Sequence, residues 1–526
     1  MARIDSNRTV NSVRNSLTGF LQKIVGLLLP FAVRTVLIKK LGIEYLGLNS
    51  LFASILQVLS LSELGFAAAI IFNLYKPIAE DDKDKICALL NAIKKIYRIV
   101  GLVILVAGLA IMPFIKYLIS GGYPADVNLY ILYAIFLLNT VISYFLYAHL
   151  GVVLNAYQRS DIENIVFLIC NTILYGLQIV VLFVFPNYYL YIALLPLSTI
   201  ALNVIRAIIV RKKYPDLKEK GKLDAETKKE IPKQIKAIIG HKLSGIIISS
   251  TDSIFISAFL GLQILAIYNN YFYIVSAIMA IVNILYSSIT PSVGNSIISS
   301  DSEKMYKLFN NINFVNVWIT GWCSICMFCL YQHFMQIWVG TEFMFSLLTV
   351  ALLVIYFYTW KFREILNVYK DATGNWKIDF WRPYVVAVLN IALDFLLIHY
   401  IGVNGVLVAT IVSFPVLSFP WEVAVSFKHI FKRSAKGYCL KMLLYSIAVV
   451  ASGAATYFVC ELLPSAGVGY FIAKCAICFT LPNLIFVATS FYLPEFKYAS
   501  SKVKFLLSKF KKKRVVEEKE AASSEQ

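Results

Sequence analysis

Charge is scarce in this chain, and acidic charge scarcest of all: 15% of its 526 residues are charged, with 30 Asp and Glu set against 49 Lys and Arg. Long polar stretches are also missing, so no soluble domain of any size can be cut from it. It lacks a Walker loop and a Gly-rich nucleotide fingerprint, which excludes ATP hydrolysis by the chain itself. Its five histidines (His149, His241, His333, His399 and His429) form no ligand cluster in sequence. Residues 1–16 are polar and lack the short apolar core and small-residue cleavage pattern of a signal peptide, so the first apolar segment is expected to act as its own insertion signal. Among nine cysteines, Cys323, Cys326 and Cys329 recur every three residues and Cys475 and Cys478 form a pair. Both groups sit in apolar runs without His or carboxylate partners, where Cys packs as a small apolar side chain. No metal ligands, catalytic residues or cofactor are expected from these patterns.

What the chain has is apolar length. The hydrophobic fraction is 59% and the mean hydropathy +0.72. A crossing helix needs ~20 mostly apolar residues, and fourteen stretches qualify, near residues 17–38, 46–73, 98–119, 127–153, 163–185, 189–210, 238–260, 264–298, 309–331, 343–362, 383–400, 404–426, 438–462 and 467–493. Their apolar residues run most of the way round each helix instead of forming one stripe. The expected fold class is therefore an all-α integral membrane protein of about 14 transmembrane helices.

The net charge of +19 points to a membrane surface and not to nucleic acid, because of where the basic residues lie. With the N-terminus inside, all Lys and Arg except Lys23, Arg34, Lys39, Lys40, Lys116 and Lys474 fall in segments facing the cytoplasm. Basic residues stay on that side because they resist translocation and meet anionic lipid there. One helix more or fewer would scramble this separation, so both termini are expected to be cytoplasmic. The tail from Phe496 to Arg514 reads as a basic amphipathic helix on the inner leaflet. The external connections are short, which argues against a membrane glycosyltransferase or polymerase with an extended catalytic loop. The longest internal connection, residues 211–236, is Lys/Glu-rich and reads as a hinge.

An internal repeat organises the helices. Leu41-Gly42-Ile43-Glu44-Tyr45-Leu46-Gly47-Leu48 matches Leu260-Gly261-Leu262-Gln263-Ile264-Leu265-Ala266-Ile267, 219 residues further on, from 41 to 260. Each copy joins the first two helices of a six-helix block, and an even block length makes the repeat parallel. The expected division is an N-terminal lobe over 1–210, a basic linker over 211–237, a C-terminal six-helix lobe over 238–427, two additional helices over 428–495, and a cytoplasmic tail over 496–526. At the same offset Ser50, Ser54 and Gln57 align with Asn269, Tyr273 and Ser276, each set on one helix face, and the second stripe continues to Asn283 and Ser287. Such groups either line a hydrated cavity or hold transmembrane helices together. Asn164, Asn171 and Gln178 form a similar line in the fifth helix.

Charges within spans cost ~2.5–3.5 kcal/mol each on insertion scales and are functional-site candidates by default. They are Lys23 and Arg34 on one face of the first helix, Lys242 at the position equivalent to Lys23, Asp252 one position before the equivalent of Arg34, and Glu63. Lys23 and Arg34 have the alternative of snorkelling to the two interfaces. Lys361, Arg363, Glu364 and Arg382 lie near cytoplasmic ends and read as interfacial anchors. Pro30, between Lys23 and Arg34, and Pro291 interrupt the backbone ladder and permit bending.

These features resemble the polysaccharide flippases of the multidrug/oligosaccharidyl-lipid/polysaccharide exporter superfamily. The resemblance rests on Leu41–Leu48 followed by Ser62-Glu63-Leu64-Gly65-Phe66, on Thr251-Asp252-Ser253-Ile254-Phe255-Ile256 followed by Leu260-Gly261 and Tyr268, and on fourteen helices in two lobes. It implies a non-enzymatic transporter of the bacterial cytoplasmic membrane that moves an undecaprenyl-diphosphate-linked oligosaccharide from the inner to the outer leaflet by alternating access. The route is capsule, O-antigen or similar synthesis, with membrane lipids and polysaccharide polymerase machinery as further partners. Arg34 matches a first-helix cavity arginine and Asp252 the acidic position early in the seventh helix. Lys23, Lys242, Ser50, Ser54, Gln57, Asn269, Tyr273, Ser276 and Asn283 complete the expected substrate cavity. Asp252 and Glu63 are expected to couple transport to a proton or sodium ion. A drug or metabolite antiporter of the same superfamily is the alternative.

Overall fold

The computed structural model describes residues 8–60, 66–299, 301–374, 376–464, 467–504 and 508, and contains no strand among them. The helices are α1 (Arg8–Lys40), α2 (Ile43–Leu59), α3 (Phe66–Ala79), α4 (Lys83–Ile111), α5 (Leu129–Phe145) and α6 (Gly151–Ala156). They continue with α7 (Ser160–Val184), α8 (Tyr188–Lys213), α9 (Ala225–Leu260), α10 (Leu262–Ser299), α11 (Ser302–Trp338) and α12 (Leu347–Lys361). The last six are α13 (Glu364–Thr373), α14 (Arg382–Ile401), α15 (Val403–Val412), α16 (Phe419–Ser426), α17 (Lys436–Glu461) and α18 (Val468–Ser490). Polar residues in the short connections start several of them. Asp82, Asn128, Asn187, Asp224 and Ser346 each accept a backbone N–H of the helix that follows, satisfying donors that the first turn leaves open.

Among the described residues ten helices are long and apolar enough to cross a bilayer, or eleven if one bent pair counts as a single span. That pair is the expected span at 127–153, which bends by 49° where Tyr147 adopts a left-handed backbone (φ 55°). The expected span at 46–73 takes in α2 and the start of α3, with residues 61–65 outside the described residues, and the one at 343–362 appears as the 15-residue α12. The stretch expected at 404–426 is continuous in direction but passes from α15 through a π-helical turn over Ser413–Ser418 before α16. Apolar content alone does not reveal such breaks, because a span can be interrupted without losing hydropathy.

The chain forms two compact units. The first comprises Met1–Tyr273 and Phe380–Thr410, the second Ile274–Asp379 and Ile411–Gln526. In the first unit α1 packs along α7, α5 along α8, and α9 against both α2 and α14. In the second, α11 is the central element, flanked by α12, α17 and α18. Its core is aromatic: Phe309, Tyr369, Phe427, Phe431 and Tyr438 are fully buried, with the Phe309 and Phe431 rings 4.4 Å apart.

The repeat is visible in the backbone. Gly42, between α1 and α2, has φ 118° and ψ 166°, and Gly261, between α9 and α10, has φ 90° and ψ 173°. An L side chain rarely adopts that conformation, so both copies use glycine to break one helix and start the next. The two copies also touch. A Cβ on Gly47 of α2 would overlap the Leu262 carbonyl oxygen at the start of α10, and a Cβ on Gly261 would lie 2.8 Å from the Ser120 carbonyl. Gly47→Val is expected to destabilise the protein by about 1–3 kcal/mol through overpacking, while Gly26→Ala in α1, where a Cβ meets nothing within 4 Å, stays near wild type. Thermal unfolding of the detergent-solubilised variants measures the difference, and equal midpoints would mean that this approach is not close.

Candidate functional site

The first unit holds an arginine that has no carboxylate partner among the described residues. From α1, the Arg34 guanidinium donates to the Asn269 backbone carbonyl at 3.0 Å and to Asn270 Oδ1 at 3.1 Å, both on α10. It also lies 4.9 Å above the Tyr273 ring, a cation–π geometry. The Tyr273 hydroxyl donates back to the Leu27 carbonyl at 2.5 Å. Leu27 lies three residues before Pro30, in the turn where that proline interrupts the backbone ladder, and its carbonyl accepts the tyrosine through its second lone pair. The fold thus brings Arg34, Asn269 and Tyr273 together and adds Asn270, which the repeat alignment does not single out.

These contacts leave the positive charge of Arg34 uncompensated. Carbonyls, an amide and an aromatic face orient a guanidinium without neutralising it, and the unused N–H donors of its fork suit a phosphate or diphosphate oxygen pair. Beside it, α2 carries a polar network in which Tyr188 donates to Asn49 Oδ1 at 2.8 Å and Tyr45 to Asp126 at 2.5 Å. Of the expected stripe on α2, Ser50 is half-buried, Ser54 is buried, and Gln57 Oε1 accepts from Ser250 of α9 at 3.4 Å.

A second cluster in the same unit is anionic. Asp252 on α9 and Asp394 on α14 are both buried, and their carboxyl groups face each other directly. Tyr268 donates to Asp252 Oδ2 at 3.4 Å, and Asn390, one turn before Asp394, donates to Thr410 Oγ1 at 3.1 Å. Asp252 Oδ1, both oxygens of Asp394 and Oδ1 of Asn390 have no hydrogen-bond donor. Two facing buried carboxyl groups favour a shared proton or a cation between them, because paired negative charges repel one another where little water screens them. The donor set is all oxygen and so fits a hard ion. Asp394 is not among the residues expected from sequence, although its signal is present there: a carboxylate inside an apolar span, with Asn390 one turn away on the same face.

In the second unit, Lys361 overturns its reading as an interfacial anchor. It is 3% exposed, its Nζ donates to Asn283 Oδ1 at 2.7 Å and lies 3.7 Å from Glu364, and the Tyr286 ring is 5.4 Å away. Asn283 is therefore paired, while Ser276 is exposed. Arg363 and Arg382 are buried as well, and Arg363 is ion-paired with Glu422 between the Trp360 and Phe414 rings. Long basic side chains near a predicted helix end look the same in sequence whether they reach outward or inward.

The remaining expectations divide. Lys23 is exposed on α1. Glu63 and the side chain of Lys242 lie outside the described residues. In the fifth-helix line, Asn164 donates to Thr18 of α1 at 3.2 Å and Gln178 to the Tyr191 carbonyl of α8 at 3.3 Å, so these two hold helices together.

Known structures share this all-helical fold. The lipid II flippase MurJ in an inward closed conformation matches with a TM-score of 0.62 at 15% identity, over 91% of this chain and 98% of that one. An inward-facing multidrug resistance MATE transporter of the MOP superfamily matches at 0.60 and 13% identity, over 80% and 98%. A Vibrio cholerae MATE transporter matches at 0.55 and 12%, over 81% and 100%. No curated protein matches the chain. The family model for polysaccharide biosynthesis proteins matches residues 12–295, and the chain belongs to that family.

Asp394→Asn is expected to raise thermal stability, since one uncompensated buried carboxylate contributes an unfavourable term of about 1–3 kcal/mol. The same variant should lose any difference in unfolding midpoint between sodium and choline buffers. A midpoint and a salt response both identical to wild type would show that the two carboxyls do not act as a pair.

Proposed function

We propose that this protein moves an undecaprenyl-diphosphate-linked oligosaccharide from the inner to the outer leaflet of the bacterial cytoplasmic membrane, supplying capsule, O-antigen or related surface polysaccharide synthesis. The observation that carries this reading is Arg34: a cation within a transmembrane helix, held by neutral groups and left with its charge for an anionic ligand. Family membership supports a role in polysaccharide biosynthesis. A diphosphate headgroup cannot enter hydrocarbon unaided, and a guanidinium answers it with charge-assisted hydrogen bonds. Within the first unit Ser50, Ser54, Gln57, Asn269 and Tyr273 supply polar surface for sugar hydroxyls, with Lys23 and Lys242 as further cations.

The topology we propose has fourteen transmembrane helices, two six-helix lobes that alternate access, two appended helices and both termini in the cytoplasm. The appended α17 and α18 form, with α11, an apolar cavity of about 580 Å³ lined by Phe314, Trp318, Leu444, Tyr445 and Phe486. A Lys441–Glu495 ion pair of 2.7 Å stands at the same cavity. That pairing of an apolar channel with a polar rim suits a polyprenyl chain. The Asp252–Asp394 pair, with Glu63, couples the cycle to a proton or sodium ion. Polysaccharide polymerase machinery is the partner downstream.

A second reading, an ion-coupled drug or metabolite antiporter, draws on the same buried carboxyl pair and on the fold shared with MATE transporters. Depletion in the native host separates the two. The flippase reading expects complete lipid-linked repeat units to accumulate in the inner leaflet with loss of surface polymer, and expects a well-inserted Arg34→Ala variant to fail to restore it. Normal surface polymer after depletion, with changed drug or metabolite efflux, moves the antiporter to the front.

A further inference from the structure

The second unit brings together three thiols that sequence spacing left apart. Cys329 of α11, Cys460 of α17 and Cys478 of α18 are all buried, and their sulfurs lie within 4.8 Å of one another, with Cys460 and Cys478 at 3.8 Å. Thiolates on one zinc ion, at Zn–S ≈ 2.3 Å in tetrahedral geometry, stand roughly 3.8 Å apart. One edge of the triangle already has that length, and the others need no more than about an ångström of adjustment. Cys478 is held in place through its backbone, since its carbonyl accepts from Trp322 Nε1 at 3.0 Å and from Cys326 Sγ at 3.5 Å.

A second observation concerns charge. Lys474, one turn before Cys478 on α18, is 3% exposed and has no carboxylate in ion-pair contact among the described residues. His333, likewise buried, lies one turn along α11 from Cys329. A buried ammonium between apolar helices needs a compensating negative charge. Three thiolates around a divalent ion leave one net negative charge, and Lys474 cancels it. Three neutral thiols would leave the ammonium uncompensated.

We propose that Cys329, Cys460 and Cys478 form a tris-thiolate site for a zinc-class divalent metal ion, the fourth position being open to water. The ion ties α17 and α18 to α11, a structural pin between the central helix of this unit and the two C-terminal helices. Thiolate ligands select a soft or borderline ion, so the site discriminates against magnesium and calcium. Its role is independent of the transported substrate.

The test uses the full chain in detergent micelles, reduced and then freed of metal. Cobalt(II) alone is titrated as an optical probe, followed by zinc(II). One cobalt per chain is expected, with a thiolate-to-cobalt charge-transfer band that zinc abolishes. Cys329→Ser, Cys460→Ser and Cys478→Ser should each weaken binding at least tenfold, while Cys439→Ser, at an exposed cysteine, keeps it. If a serine variant fails to fold, the wild-type protein still decides: bound zinc should slow alkylation of these three thiols relative to Cys439, read by mass spectrometry. The proposal is overturned by folded wild-type protein that shows no charge-transfer band, by a band that survives in Cys478→Ser, or by zinc that leaves alkylation of the three thiols unchanged.

Discussion

Hydrocarbon offers no hydrogen-bond partner and almost no dielectric screening, so every polar group carried into it must find its counterpart inside the protein. For the backbone this leaves helices, which is the only regular structure present among the described residues. For side chains it sorts charges into two kinds. Arg363 with Glu422 and Lys370 with Asp379 are buried pairs of opposite sign in the second unit, and each is neutral as a whole. Such pairs fix helices to one another and ask for nothing further. Arg34 and the Asp252–Asp394 pair are different, because each keeps a net charge after its protein contacts are counted. Such charges are where the proposed function places its anionic ligand and its coupling ion.

The same constraint explains where the chain can bend. An interrupted helix exposes backbone donors and acceptors, so breaks are confined to places where neighbouring groups take them up. At the end of α9 the Ser257 hydroxyl donates to the Leu118 carbonyl at 2.7 Å, and the Ser257 carbonyl accepts from the Ser120 N–H at 3.0 Å. The connection after α4 thereby closes the end of α9 just before Gly261. Glycine at 42 and 261 provides the conformation and the lack of a side chain at 47 provides the room. Two matched octapeptides in sequence are thus two matched joints in the fold.

Much of this is legible in the order of the amino acids. Hydropathy carries the class, because twenty apolar residues in a row have few uses. The 219-residue offset carries the joints, because backbone conformation at a tight break depends on local sequence. It also points to Asn269 and Tyr273 as partners of one face, since helical periodicity fixes which residues lie together. Asp394 and Cys460 cannot be found in that way. Each acts through partners on helices more than a hundred residues away or on another hairpin, and pairing at such distances leaves no period. The depth of Lys361 is hidden for a related reason: a four-carbon stem reaches several ångströms in either direction, and only the neighbouring helix decides which.

The two net charges of the first unit are joined by a short stretch of α10. Tyr268 reaches back to Asp252, and the next two residues, Asn269 and Asn270, hold Arg34. Asp252 lies on α9, nine residues before the glycine joint that separates α9 from α10, and Asp394 faces it from α14. A proton or cation arriving between the carboxyls changes the charge that the Tyr268 hydroxyl meets. Tyr268, Asn269 and Asn270 are consecutive in α10, so a movement of that helix turn shifts the Asp252 contact and the acceptors of Arg34 together. In the proposed transport cycle this gives ion binding a direct mechanical route to the cation that holds the headgroup, through one turn of helix hinged at Gly261. Coupling then needs no long pathway, only a difference in ion affinity between the arrangement that holds Arg34 and the one that releases it.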